Sequence, residues 1–160
     1  MSLNITDADV YAGIAQFIAL CVPQGTTITQ GQQNRIPMPS GPCVILTTLG
    51  APERIGTNDD DTVPVVDAAG TITGYTAGVT ADFVYHVQAD FYSPQAESWA
   101  MSAELLWRDN IGINAMPDGM KPLYSEGRMQ LPIVGGEDQW IQRWTMTLVL
   151  DYQPTWSQPT

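Results

Sequence analysis

Two runs of strict alternation, residues 83–91 and 139–152, decide most of what this chain can fold into. In the first, Phe83, Tyr85, Val87, Ala89 and Phe91 fall on one side, and Asp82, Val84, His86, Gln88 and Asp90 on the other. In the second, Trp140, Trp144, Met146, Leu148, Leu150 and Tyr152 oppose Arg143, Thr145, Thr147 and Asp151. Successive side chains of a strand point to opposite faces, so each run predicts a long strand with one apolar face. Such a face must be covered, and two segments of helical period can cover it. Thr6 is a good N-cap, Asp7 and Asp9 suit the positive end of a helix, and Val10, Ile14, Phe17, Ile18 and Cys21 form one stripe. Gly13 falls on that stripe and permits close approach; Pro23 and Gly25 end the helix. Ser93-Pro94 predicts a second start, with Trp99, Ala100, Ala103, Leu106 and Trp107 buried, Met101 and Leu105 widening the stripe, and Arg108 at the negative end.

Between these elements the sequence is read more coarsely. A strand runs from Cys43 to about Leu49 and continues over 51–57 after a bend at Gly50-Ala51-Pro52. Asn58-Asp59-Asp60-Asp61 reads as a solvated loop tip, followed by a small hairpin with Thr71-Ile72-Thr73 between Gly70 and Gly74. The segment 110–124, rich in Gly, Pro and Asn, reads as loop. The expectation is one α+β domain spanning 1–160, a mostly antiparallel β-sheet with two helices packed on one face. It carries a hairpin excursion at 59–79 and an extended C-terminal tail at 153–160.

Seventeen acidic residues against six basic ones, with Lys121 the single lysine, give a net charge of −11. That balance excludes binding to the phosphate backbone by counterion release and adhesion to an anionic membrane. It suits a channel that nucleic acid crosses without sticking, or simply a soluble surface. Only 14% of residues are charged, while five Trp and six Tyr are present, a balance that suits a surface partly occupied by contacts. Cys21 and Cys43 are too few for a disulfide framework or zinc site and read as reduced core residues. The start Met-Ser-Leu-Asn carries no basic, apolar leader, and no apolar run reaches the length of about 18 residues that a bilayer requires, so the expectation is folding in a reducing cytosol.

Catalytic constellations are sparse. No phosphate-binding Gly-rich motif, nucleophile elbow or HExxH is present, and His86 is the one histidine. Its strand neighbours Asp82 and Asp90 share its face but stand about 13 Å away along the strand, too far for a common metal. The acidic run at 58–61 lacks the alternate ligands and distal Glu of a calcium loop. The Trp140, Trp144 and Tyr152 stripe would serve stacking on sugars or bases, yet Met146, Leu148 and Leu150 on the same side suit a core face better. No enzyme, cofactor or metal is expected.

The remaining candidate is a contact segment. Residues 30–42, Gln30-Gly31-Gln32-Gln33-Asn34-Arg35-Ile36-Pro37-Met38-Pro39-Ser40-Gly41-Pro42, are polar, rich in Gln and punctuated by Gly and Pro. Together with the order of elements, this run leading into a hydrophobic strand resembles the neck or tail terminator family of tailed bacteriophages. The resemblance spans most of the chain except the excursion at 59–79. It implies a structural virion protein, assembled in the host cytoplasm, that forms a homo-oligomeric ring, usually a hexamer, at the phage neck. Such a ring ends the tail tube and joins it to head-completion (connector) proteins, with contacts to tube or sheath, while DNA passes through the lumen without specific binding.

In that setting Gln30, Gln33, Asn34, Arg35, Ile36, Pro37, Met38 and Pro39 are the expected subunit or neck interface. Arg35 either meets a neighbour's carboxylate or pairs within its own subunit. Asp59, Asp60 and Asp61 either line the lumen or form a solvated tip. A head–tail connector adaptor or minor tail protein is the nearest alternative role, and a carbohydrate- or ligand-binding β-rich module is the alternative of another class.

Overall fold

The computed structural model describes residues 2–31, 39–131, 133–134 and 140–159. The first half of the chain runs β1 (Ser2–Leu3), α1 (Asp7–Cys21), β2 (Thr27–Gln30), β3 (Cys43–Thr48), β4 (Glu53–Val66) and β5 (Ile72–Tyr92). The second half follows as α2 (Ala96–Leu106), α3 (Asn110–Ala115), β6 (Met120–Gln130), β7 (Ile133–Val134), β8 (Trp140–Ile141), β9 (Arg143–Tyr152) and β10 (Thr155–Pro159). The chain is α+β, and among the described strands every pairing is antiparallel except that of β2 with β3.

The strand predicted from alternation at 82–91 is the C-terminal half of β5, which is 21 residues long. Along one flank it pairs with β3 (Cys43 opposite Tyr92, Thr48 opposite Val87) and then with β4 (Glu53 opposite Val84 onward). Along the other it pairs with β9 (Arg143 opposite Tyr92, Tyr152 opposite Phe83) and then with β10 (Thr155 opposite Thr80). Each flank is therefore one chain segment interrupted by a bend, at 49–52 and at 153–154. The expected continuation of the strand beyond Gly50-Ala51-Pro52 is what the pairing shows. β2 lies outside β3, β6 outside β9, and β1 outside β10.

Tyr85, Val87, Ala89 and Phe91 of β5, Val44 and Leu46 of β3, and Met146, Leu148 and Leu150 of β9 make the buried sheet face. Val10, Ile14, Phe17 and Ile18 of α1 and Trp99, Ala100 and Ala103 of α2 are buried against it, as the stripes predicted. Gly13 does bring another segment close: a Cβ there would lie 2.9 Å from Pro117 Cδ and 3.0 Å from Met120 Cε. The capping at Thr6 is made through Asp9, whose carboxylate accepts from the Thr6 N–H and hydroxyl, each at 2.7 Å, and is held below the usual carboxylate range by those bonds.

Trp107, just past α2, joins the layers. Its ring meets Phe17 edge-on at 4.9 Å between centroids, and its Nε1–H donates to Tyr124 O at 2.9 Å and Val149 O at 3.2 Å. Those carbonyls belong to β6 and β9 where their register shifts between Pro122 and Tyr124. A proline has no N–H to give the ladder, so the indole reaches a place where regular pairing is interrupted.

Three expectations are corrected. The second helix starts at Ala96, not at Pro94: Ser93 forms a turn ahead of it, its Oγ accepting from Gln95 N–H at 3.0 Å. Met101 and Leu105 face solvent rather than widening the stripe, Leu105 being 70% exposed. The 110–124 segment is not loop, because Asp109 caps α3 by accepting from Ile111 N–H at 3.1 Å and β6 begins at Met120. Gly112 is required there, since a Cβ would fall 2.3 Å from Leu106 O and 2.5 Å from Trp107 O.

Trp107→Phe keeps an aromatic ring but loses the pyrrole half of the indole and its donor to the Tyr124 and Val149 carbonyls, so it should lower unfolding stability by about 1–3 kcal/mol. Phe17→Ala, which opens a cavity, should cost about 3–5 kcal/mol. Urea unfolding followed by circular dichroism compares the two.

Candidate assembly surfaces

The described residues offer a projecting hairpin, an apolar cleft at its root, and the strand from which the polar loop departs. In the hairpin, β4 and β5 run beyond the helix-covered body, from Asp59 opposite Thr80 to Val66 opposite Ile72. Asp67 closes the turn: its Oδ1 accepts from Ala69 and Thr71 N–H groups, each at 2.9 Å, and Gly70 takes φ +83°. β-Branched Val63, Val65, Val66, Ile72 and several threonines account for the strand conformation. Val63, Val65, Val66, Ile72 and Tyr75 are all exposed, Tyr75 by 52%. Near its root the arm carries a register shift: residues 56–58 of β4 stand opposite Ala81 alone, and Gly56 takes φ +74° there.

Asp59, Asp60 and Asp61, expected at a loop tip, instead lie within β4, with backbones opposite Thr80, Val79 and Gly78. The tip of the hairpin is at 67–70. The error has a physical source: three consecutive aspartates have low strand propensity, and the pairing with β5 overrides it.

At the root, Leu3, Ile5, Val79, Phe83 and Trp156 line an apolar cleft of about 530 Å³ between β1, β5 and β10. Phe83 and Tyr85 both pack on Tyr152, at 5.5 and 5.7 Å between ring centroids, and fix its floor.

The segment at 30–42 is entered differently than expected. Gln30 does not belong to a loop that follows a helix; it ends β2, a strand between the two, where it is exposed and borders a cleft of about 420 Å³ with Tyr11, Thr48 and Tyr85. Gly31 extends the pairing, its N–H donating to Leu46 O at 2.7 Å, and a Cβ there would lie 2.3 Å from Thr47 Oγ1. The chain therefore leaves β2 pressed on β3. Pro39 is half-buried where the description resumes; Gln33, Asn34, Arg35, Ile36, Pro37 and Met38 lie outside the described residues.

The sheet face away from the helices is polar but not vacant. Arg143 donates to Asp90 Oδ1 at 3.0 and 3.2 Å, Gln88 Nε2 donates to Asp90 Oδ2 at 2.9 Å, and the guanidinium lies 5.8 Å from the Tyr92 ring centroid. Gln153 Nε2 donates to Asp82 Oδ1 at 2.6 Å. Asp82 and Asp90, which share a face with His86, are thus each committed elsewhere. Asp151 has a raised pKa, through burial first and the nearby Asp82 charge second, with Lys121 opposing, and its Oδ1 is buried without a hydrogen-bond partner. Burial pushes the Cys21 thiol up to about 12 and raises Cys43, so both are protonated at neutral pH. Among the described residues no group of three or more His, Cys, Asp or Glu is placed to hold a metal, and no helix is long and apolar enough to cross a membrane.

The family model described as phage neck terminator protein matches residues 8–160. The chain belongs to the phage neck terminator protein family. This is the family whose resemblance the 30–42 run carries. The match takes in both helices of the stripes, the whole β4–β5 arm and the C-terminal strand, so the arm lies within the family match. Among curated proteins nothing matches the chain. Membership makes it a structural phage protein of the neck, which assembles with other virion proteins. Within this terminator the arm runs from Asp59 to Thr80, where the sequence leads one to expect a hairpin excursion at 59–79; the low charge of residues 62–81, where Asp67 is the one ionisable acid or base apart from Tyr75, is the sequence signal of its surface.

Gly31→Ala should destabilise the terminator by about 1–3 kcal/mol through overpacking against Thr47, read as a lowered urea midpoint. Asp151 carries a penalty of the opposite kind. A carboxyl whose folded-state pKa lies above its unfolded one opposes folding once ionised, and the penalty disappears as pH falls below both values. Asp151→Asn should therefore raise the urea midpoint at pH 7 and lose that advantage near pH 3.

Proposed function

We propose that the chain is a non-enzymatic ring subunit at the phage neck, which caps the tail tube and presents a docking face to the head-completion proteins. The family match over 8–160 carries this reading. Charge supports the passage of DNA through the ring: a subunit of net charge −11, with Asp59, Asp60 and Asp61 among its acids, repels a polyanion that must cross without adhering. A closed ring needs two different patches on each subunit, one meeting the other on the next copy.

The polar loop at 30–42 supplies a contact in this reading, with Arg35 meeting a carboxylate of the adjoining chain in a bidentate pair. Light scattering on the purified chain should give a mass several times 17.4 kDa, and negative-stain images should show a central hole. Arg35→Glu should shift the mass toward that of one chain. A strict monomer that binds glycans would overturn the ring; an unchanged mass for Arg35→Glu would remove Arg35 from the interface.

A further inference from the structure

We infer that the β4–β5 arm is the lateral connector of the ring, its apolar face seated in the root cleft of the next copy. This rests on the ring reading above and names the surfaces that would join its subunits. Cross-strand pairing sets Val63 opposite Thr76 and Val65 opposite Gly74, so these two valines share a face with Thr76 and Gly74; beyond them the register shifts and Ile72 stands opposite Val66. The cleft floor, formed by Val79 and Phe83, uses odd-numbered residues of the same strand and opens on the opposite face. One subunit's valine patch therefore points away from its own cleft and cannot fill it. Two complementary patches on opposite faces of one continuous strand make a head-to-tail contact, the geometry that closes rings.

Charge and the opposite facing of the two patches select a second copy as the occupant. Two chains of net charge −11 repel unless they meet where charge is absent. From residue 62 to 81 the one charged side chain is Asp67, and its Oδ1 is already engaged by the turn. The cleft is lined mostly by apolar side chains, with Thr6 and Asp7 at one side and Asp7 its single charged member. Pro64 faces Tyr75 within the edge strand β4 and interrupts its outer row of donors, so the arm engages through side chains rather than by adding a strand to a neighbour's sheet.

The test uses three full-length variants, checked for native circular dichroism: Val63→Asp with Val65→Asp in the arm, Tyr75→Glu as a second arm variant, and Leu3→Asp at the cleft rim, where Leu3 is 57% exposed. The valine-face variant and the cleft variant should each run as one chain of 17.4 kDa by light scattering. Mixed together they should give a species of two chains and no ring, because each retains the half that the other has lost. Tyr75→Glu, on the face away from the valines, should still form the wild-type ring. Rings of wild-type mass from either disabled variant alone, or a mixture that stays monomeric, would overturn the arm-in-cleft contact while leaving the ring reading in place. A wild-type chain that is monomeric at every concentration would sink both.

Discussion

β5 is the constraint on which the rest depends. A strand of 21 residues, paired along both flanks for most of its length, has few backbone groups left for solvent. Its two halves nonetheless live in different surroundings. The C-terminal half, from Phe83 to Phe91, is apolar on the face that α1 and α2 cover and polar on the other. The N-terminal half leaves the helices behind and carries Ile72 and Tyr75 into solvent. One strand thus transmits the register of the core directly into the arm: a slip of one residue would turn both the core face and the valine face over together. That coupling gives a small domain a long, directed projection without a hinge.

Much of the core could be read before the structure, because periodicity reports burial. Phe83, Tyr85, Val87, Ala89 and Phe91 have a period of two, and Val10, Ile14, Phe17 and Ile18 a period near 3.6, and these sets meet in one cluster. What was illegible is where pairing or packing at long range overrides local preference. Asp59, Asp60 and Asp61 look like a turn and are strand, since β5 offers them partners. The segment 110–124 looks like loop, yet Asp109 caps a short helix and Gly112 fits against the Leu106 and Trp107 carbonyls at a distance no other residue tolerates. Leu105 stands about 240° around the helix from Trp99, outside the stripe of Ala100, Ala103 and Leu106, and therefore faces solvent. The contact loop was legible as polar and nothing more. Its approach, with Gly31 against Thr47, depends on β2 pairing in parallel with β3, which the four residues of β2 do not announce.

Trp107 shows how the layers are tied where the ladder fails. Pro122 cannot donate and β6 shifts register beside it, so carbonyls of Tyr124 and Val149 would be left short of donors in a buried setting. The indole satisfies both while its ring packs on Phe17. An aromatic with a single donor suits this position, because its large apolar body fills the helix–sheet junction and its edge meets the bulge.

The distribution of charge follows the same division of labour. Of six basic residues, Arg128 pairs with Glu104 and Arg143 with Asp90, so cations are spent holding elements of one subunit together. The acids are in excess and stay off the arm beyond Thr62, apart from Asp67 in its turn. A strip of valine, isoleucine and threonine on an otherwise strongly anionic subunit is costly to leave in water and can meet a like-charged copy without bringing carboxylates together. Edge strands of that composition would also invite uncontrolled pairing, and Pro64 blocks this on β4 without removing the apolar side chains. Solubility and assembly place opposite demands on one surface; acids through Asp61 at the base of the arm, with only Asp67 beyond them, separate the charged part from the apolar, Pro-guarded part.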